Sequence, residues 1–194
     1  MPHTKETSLP TAEQLDMERR RLRYKRRYNR TLRSTVAILI VVAALAVLAA
    51  TLWMPVLRVY GSSMAPTLHN GEILVSVKIK DFSSGDIIAF YHGNKLLIKR
   101  YIAGPSDYVN VDEDGNVSVN GTLLDEPYLA EKAYGEADIE FPYQVPDQRY
   151  FVMGDNRSVS IDSRSSIVGC IAGDQIVGKV VFRVWPLSAF GPLN

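Results

Sequence analysis

An uninterrupted apolar segment constrains this chain more than any other feature of its sequence. From Ser34 to Leu57 there are 24 consecutive uncharged residues, most of them Val, Ala, Leu and Ile. The hydrocarbon core of a bilayer is about 30 Å thick and takes roughly 20 helical residues to cross. Trp53, near the end of the segment, suits the interface between lipid and water. The sequence therefore predicts one transmembrane helix over residues 34–57.

The residues before this segment carry a strong positive charge. Residues 1–34 contain ten Lys or Arg and four Asp or Glu, which gives this segment a net charge of +6. Because the net charge of the whole chain is +1, the remaining residues carry −5. Because basic segments stay on the cytoplasmic side, we expect a basic cytoplasmic tail over residues 1–33 and an extracytoplasmic domain after the anchor. The polar residues 1–18 have no apolar periodicity and are expected to be loosely ordered. The arginines favour contact with anionic lipid, and their cytoplasmic placement explains them without nucleic acid.

A cleavable secretory signal peptide is the alternative interpretation of the apolar segment. Such a peptide has an apolar region of about 7–15 residues, followed by a cleavage site with small residues. The segment here is longer, and the small-residue triplet Ala44-Leu45-Ala46 lies deep inside it. The sequence therefore favours a retained anchor.

The few cysteine and histidine residues argue against several kinds of site. Cys170 is the only cysteine, so it forms no intramolecular disulfide, and its apolar neighbours predict a buried side chain. His3, His69 and His92 show neither a partner arrangement for a cysteine nucleophile nor the clustering of metal ligands. We expect no metal and no cofactor.

Short strand-like runs separated by turn signals follow the anchor. The predicted strands cover residues 72–78, 86–91, 95–102, 116–120, 150–153 and 175–184. Turn signals such as His92-Gly93-Asn94-Lys95 and Asn120-Gly121 lie between them. Many short strands at close spacing predict an all-β, largely antiparallel domain over residues 58–194. Residues 107–147 are more polar and irregular, and they are interpreted as a small inserted hairpin and loop region.

Three polar segments of this domain contain residues suited to chemistry. Residues 61–68 present serine hydroxyls ahead of a proline turn, and residues 153–164 alternate acids, arginines and hydroxyls. The third feature is Lys99, which lies in an otherwise apolar strand. A lysine removed from water has a lowered pKa and can act as a base, whereas a lysine at a strand edge simply extends to solvent. Each segment alone also has an ordinary structural explanation.

Taken together and in this order, the segments resemble the conserved boxes of the type I signal peptidases, serine proteases with a Ser-Lys dyad. Residues 63–68 read Ser-Met-x-Pro-Thr-Leu, residues 98–100 contain the Lys-Arg box, and residues 154–164 read Gly-Asp-Asn-Arg-x-x-Ser-x-Asp-Ser-Arg. Supporting segments occur at residues 85–88 and 178–186. The resemblance covers about residues 35–190 and departs at Gly104-Pro105-Ser106-Asp107, where the family usually has Leu-Pro-Gly-Asp.

The resemblance implies a role for particular side chains. Ser63 corresponds to the nucleophile, Lys99 to the general base and Ser160 to a residue that orients the lysine. The residues implied to hold the walls of the active site together are Asp155, Asn156, Arg157, Asp162 and Arg164. The residues implied to line substrate pockets are Val59, Met64 and Ile98. Gly61 occupies the position where some relatives have a hydroxyl that binds the oxyanion. Backbone N–H groups, including that of Ser63, would therefore provide most of the hydrogen bonds to the oxyanion.

The substrates implied by the resemblance are exported preproteins with a small-x-small cleavage site, processed beside membrane lipid. Two alternatives remain open at this point. One is a self-cleaving Ser-Lys protease of the repressor type, although such proteins are cytosolic and carry a DNA-binding domain. The other is a membrane-tethered β-rich binding module in which the serine and the lysine are incidental.

Overall fold

The computed structural model describes residues 11–79 and 81–193, which form two compact units that meet between residues 49 and 50. One long helix, α1, spans Ala12–Trp53 and therefore includes the last described residues of the first unit and the first four of the second. Its start is fixed by a reciprocal capping box, in which Gln14 N–H donates to Thr11 Oγ1 and Thr11 N–H donates to Gln14 Oε1. The helix ends at Trp53, two residues before Pro55, because a proline disfavours helical geometry at the residue that precedes it.

Helix α1 differs in its bounds from the predicted tail and anchor. Residues 12–18 are helical, so the expected loose order does not hold there, and residues 1–10 lie outside the described residues. At the other end, residues 54–57 fall outside α1, and Leu57 is buried in the β-sheet domain. By length and composition, α1 is able to cross a membrane.

The second unit is built from two antiparallel sheets. Its strands are β1 (Val56–Arg58), β2 (Ile73–Val77), β3 (Ile87–His92), β4 (Lys95–Ala103), β5 (Tyr108–Val111), β6 (Val117–Val119), β7 (Thr122–Leu123), β8 (Tyr143–Gln144), β9 (Arg149–Met153), β10 (Ile171–Ala172), β11 (Ile176–Trp185) and β12 (Gly191–Pro192). The larger sheet has the order β1-β2-β11-β3-β4-β9-β10, with β12 on β11, and the smaller has the order β7-β6-β5-β8. All the pairings are antiparallel, which confirms the predicted fold class.

All six predicted strands are present, and the turns between them form where glycine and asparagine predicted them. Asn120 and Gly121 both have a positive φ, 51° and 79°, as a two-residue hairpin turn between β6 and β7 requires. The smaller sheet lies entirely within residues 108–144, inside the region interpreted as an insertion. Its strands β5, β7 and β8 were not predicted: β7 and β8 have only two residues each, and β5 has only four.

The apolar core explains the alternation along β4. Leu96 and Ile98 pack against the buried cluster that contains Leu74, Ile87 and Val180. Leu97 and Tyr101 pack against a different cluster, because successive side chains of a strand point to opposite faces. Cys170 is buried in a third cluster, as its apolar neighbours in the sequence predicted. Burial raises the pKa of its thiol to about 11, so the thiol stays protonated and unreactive.

Candidate active site

The loop that carries Ser63 is closed by hydrogen bonds that prolong the β1–β2 hairpin. Val59 N–H donates to Glu72 O at 2.9 Å, and Gly71 N–H donates to Val59 O at 2.9 Å. The two ends of residues 60–70, here called the nucleophile loop, are therefore held next to each other. Gly61 has a φ of +89°, a conformation that favours glycine, and its N–H donates to Asn70 Oδ1 at 3.2 Å. Within the loop, Met64 and Leu68 are buried, and Ser63, next to Met64 in the sequence, is half-buried.

Lys99 is buried in the middle of β4. Its side chain is 3% exposed, and its Nζ donates to Ser160 Oγ at 2.8 Å. Ser63 and Lys99 line one narrow cleft, although they lie 36 positions apart in the sequence. The structure thus brings together the two residues that the sequence singled out for catalysis.

The environment of Lys99 disfavours its charged form. Burial is the largest cause, and it lowers the pKa of Lys99 from 10.5 to about 8. The carboxylates of Asp162 and Asp155 act in the opposite direction and raise this pKa, while the guanidinium of Arg164 lowers it. Because desolvation outweighs the attraction of the two carboxylates, a substantial fraction of Lys99 is neutral just above neutral pH.

Residues 154–164, here called the polar loop, carry Ser160 to the lysine and hold the nucleophile loop. Asn156 N–H donates to Ser63 O at 3.0 Å, and Asn156 Nδ2 donates to Ser62 O at 3.3 Å. Gly154 lies between the two catalytic segments: a Cβ atom there would stand 2.2 Å from Ser160 Oγ and 2.5 Å from Ser63 O. Only glycine allows this close approach, which explains why the polar loop begins with it.

Three buried arginines hold the polar loop by ion pairs with carboxylates. Arg100 binds Asp155 through two hydrogen bonds, Nε to Oδ1 at 2.8 Å and Nη2 to Oδ2 at 2.7 Å. Arg164 binds Asp162 in the same bidentate way, with both contacts at 2.9 Å. Arg157 binds Glu126 through both of its terminal nitrogens. All six side chains are at most 6% exposed, so each charge depends on its partner.

The same arginines attach residues 126–135, here called the clamp segment, to the polar loop. Arg164 Nη1 donates to Tyr134 O at 2.6 Å, and Arg157 reaches Glu126. The guanidinium of Arg100 stacks 3.7 Å from the centre of the Tyr128 ring. Asp155 also accepts a hydrogen bond from Thr67 of the nucleophile loop. Glu126, Tyr128 and Thr67 were not predicted as supporting residues, and Arg100 was predicted only as part of the Lys-Arg box.

Asp162 has a further contact that supports the site. Its Oδ2 accepts a hydrogen bond from Gly154 N–H at 2.8 Å, which closes the polar loop on itself. Ser160 N–H donates to Asn156 O at 3.0 Å inside this closed loop. Five residues predicted to support the site lie in the polar loop itself and bind one another, β4, the nucleophile loop or the clamp segment. They are Asp155, Asn156, Arg157, Asp162 and Arg164.

The cleft itself is small and is lined by both apolar and polar residues. Its volume is about 50 Å³, and Val59, Met64 and Ile98, the three residues predicted to line substrate pockets, all border it together with Ser63 and Lys99. Gly61 also lines it. On this measure a single water molecule needs roughly 10–15 Å³, so a space of this size accepts only a small side chain.

Comparison with known proteins identifies the family of this chain. Residues 31–185 match the model of a family described as signal peptidase, peptidase S26. Signal peptidase I S of Bacillus subtilis (strain 168) is 37% identical over 146 residues, which cover 69% of this chain and 78% of that protein. Signal peptidase IB of Staphylococcus aureus (strain COL) is 40% identical over 151 residues, covering 67% of this chain and 77% of that protein. A crystal structure of a signal peptidase I from Enterococcus faecalis V583 shares 30% identity and covers 53% of this chain and 98% of that one, at a TM-score of 0.45.

The chain belongs to the signal peptidase family, peptidase S26. This confirms the predicted family and enzyme class: the protein is a serine peptidase that removes signal peptides, and its substrates are preproteins. Helix α1 is its candidate membrane anchor. Neither the repressor-type protease nor the binding module finds support in these relatives. The roles of individual residues and the orientation of the anchor stay predictions.

Proposed function

We propose that Ser63 and Lys99 form a catalytic dyad that hydrolyses the peptide bond after a small-x-small segment of an exported preprotein. The observation that carries this proposal is the burial of Lys99 in the cleft that Ser63 also lines, with the pKa of Lys99 lowered to about 8. A serine hydroxyl needs a base to remove its proton during attack. Neutral Lys99 is such a base, and the cleft holds no histidine within the part of the chain that the structure describes.

In the first half of the reaction, Ser63 Oγ attacks the scissile carbonyl while its proton passes to Lys99 Nζ. The resulting ammonium gives this proton to the leaving amine, and an acyl-enzyme forms. In the second half, Lys99 takes a proton from the water that attacks the acyl group and gives it to Ser63 Oγ as the acyl bond to Ser63 breaks. Ser160 Oγ, 2.8 Å from Lys99 Nζ, keeps the amine aimed into the cleft throughout both halves.

The oxyanion formed by each attack needs donors that are already in place. The N–H of Ser63 donates to no acceptor within residues 11–79 and 81–193, so it is free to stabilise this charge. Gly61 has no hydroxyl to add a second side-chain donor. Backbone N–H groups therefore provide most of the stabilisation of the oxyanion in this chain.

The substrate binds as an extended strand beside β4. Strand β4 pairs with β9 only from Arg100 to Ala103, while its other edge pairs with β3 from Lys95 to Arg100. The β9-side edge of residues 95–99 has no strand partner among the described residues, and it borders the cleft. An extended peptide can add a strand at such an edge, and the small cleft then selects small side chains.

The anchor holds this domain outside the cytoplasm. The arginines between residues 19 and 33 remain on the cytoplasmic side and contact anionic lipid, while the apolar part of α1 crosses the bilayer. The basic part of α1 has no buried residue, so its cations are open to lipid headgroups. Preproteins that emerge on the outer side then meet the peptidase domain.

The decisive experiment measures cleavage of a preprotein with an Ala-x-Ala site by the full chain in lipid vesicles. We expect Ser63→Ala to lower the rate by more than about 10³-fold, because the attacking atom is lost. Ser62→Ala is the matched control, since Ser62 is exposed and contacts Asn156 through its backbone carbonyl. Substantial cleavage by Ser63→Ala, or equal losses in both variants, would refute the dyad.

A further inference from the structure

A second pocket adjoins the nucleophile loop and shares no lining residue with the cleft. Its volume is about 200 Å³. The nucleophile loop contributes Ala65 and Pro66 to its lining, and the polar loop contributes residues 155–158. Asn156 links the pocket directly to the nucleophile, because its N–H donates to Ser63 O. The pocket therefore begins one residue away from the reacting serine.

The clamp segment forms the remaining wall of this pocket. Ala130, Glu131 and Ala133 line it, and their position is fixed by the hydrogen bond from Arg164 to Tyr134 O at 2.6 Å. The apolar lining is made of small residues, so the pocket has room for the side chain of a passing peptide. A wall held by buried arginines keeps its shape without a ligand.

The charges around the pocket leave one carboxylate free. Asp155 is bound to Arg100, and Arg157 is bound to Glu126, so these four charges compensate one another. Lys132 is directed to Asn116, to which its Nζ donates at 2.9 Å. Glu131 is exposed and has neither an ion pair nor a hydrogen bond among the described residues. The pocket thus presents a single uncompensated negative charge.

We infer that this pocket binds the first residues after the scissile bond, and that Glu131 favours basic over acidic side chains there. The inference rests on the proposed dyad. The residues before the scissile bond occupy the cleft lined by Val59 and Ile98, so the residues after it leave on the other side of Ser63. The second pocket is lined by Asn156, whose N–H donates to Ser63 O, and it is separate from that cleft, which makes it the binding site for this part of the substrate.

The test compares preproteins that are identical except for Lys, Gln or Glu at the second or the third residue after the cleavage site. For the full chain in vesicles, we expect kcat/KM to be about fivefold or more higher for Lys than for Glu, as a partly exposed charge contributes modestly. Glu131→Lys should reverse this order. Glu136→Lys is the matched control, because it makes the same charge change at an exposed residue of the same region that does not line the pocket.

The possible results separate the inference from the dyad on which it rests. The pocket assignment alone is overturned if Glu131→Lys leaves the Lys-to-Glu ratio of kcat/KM unchanged at both substrate positions. In that case Ser63→Ala still abolishes cleavage. A change in ratio of the same size in Glu136→Lys also overturns it, because the effect is then one of overall charge. Cleavage that survives Ser63→Ala overturns the dyad instead.

Discussion

Replacement of Lys99 by arginine tests the central physical claim, that the base works because it loses its proton. Burial lowers the pKa of Lys99 from 10.5 to about 8, and this difference corresponds to about 3 kcal/mol against the charged form. At pH 7, about one lysine in ten is then neutral, against roughly one in three thousand for a lysine in water. Arginine keeps the charge but does not deprotonate in this range, so Lys99→Arg should be inactive.

The assay is the pH dependence of preprotein cleavage by the full chain. Below pH 8, kcat/KM should fall about tenfold for each pH unit, since the fraction of neutral Lys99 falls by that factor. The profile should level off above this value. A flat profile between pH 6 and 8, or substantial cleavage by Lys99→Arg, would refute the reasoning.

The same lowered pKa has a consequence for stability, which gives an independent measurement. Between pH 8 and 10.5 the unfolded chain holds a proton on Lys99 that the folded chain has lost, so the free energy of unfolding rises with pH in this window. The rise should amount to about 3 kcal/mol in all. In Lys99→Met, urea unfolding should lack this contribution. Equal pH dependence in both proteins would show that Lys99 titrates normally in the folded state.

Three further predictions concern the polar loop and the anchor. Asp162→Ala leaves Arg164 buried without its partner and should lower the free energy of unfolding by about 3–5 kcal/mol, measured by thermal or urea unfolding; unchanged melting and activity would show the pair to be dispensable. Gly154→Ala should abolish cleavage because its Cβ would collide with Ser160 Oγ and Ser63 O, whereas Gly191→Ala, which meets nothing within 4 Å, should cleave normally; an active Gly154→Ala variant would contradict the close approach. Protease added outside intact cells should digest the chain after Leu57 and spare the basic tail, and the reverse pattern would refute the proposed orientation.

Much of the fold could be predicted because its signals are local. The strands follow from alternation and turn residues, and the apolar segment follows from its length alone. The start of α1 was also available, since Thr11 and Gln14 form a capping box three residues apart, but the polar composition of residues 1–18 was taken as loose order instead. The two-residue strands β7 and β8 carry too little pattern to be predicted.

The supporting residues of the site were harder to predict because they depend on long-range pairing. The arginines of the polar loop could be recognised from their box, but nothing local selects Glu126 as the partner of Arg157 among the many acidic residues of the chain. The stacking of Arg100 on Tyr128 is equally invisible in the sequence. These contacts join segments that meet only in the folded domain.

The environment of Lys99 also makes proteolysis a property of the completely folded domain. Lys99 and Ser160 are 61 residues apart, Arg100 and Asp155 are 55 apart, and Arg157 and Glu126 are 31 apart. Before these segments meet, the lysine is in water, protonated at its ordinary pKa of 10.5 and unable to serve as a base. A partly synthesised or misfolded copy is therefore chemically silent. On the proposed mechanism, catalytic power therefore appears only once the last of these distant contacts has formed.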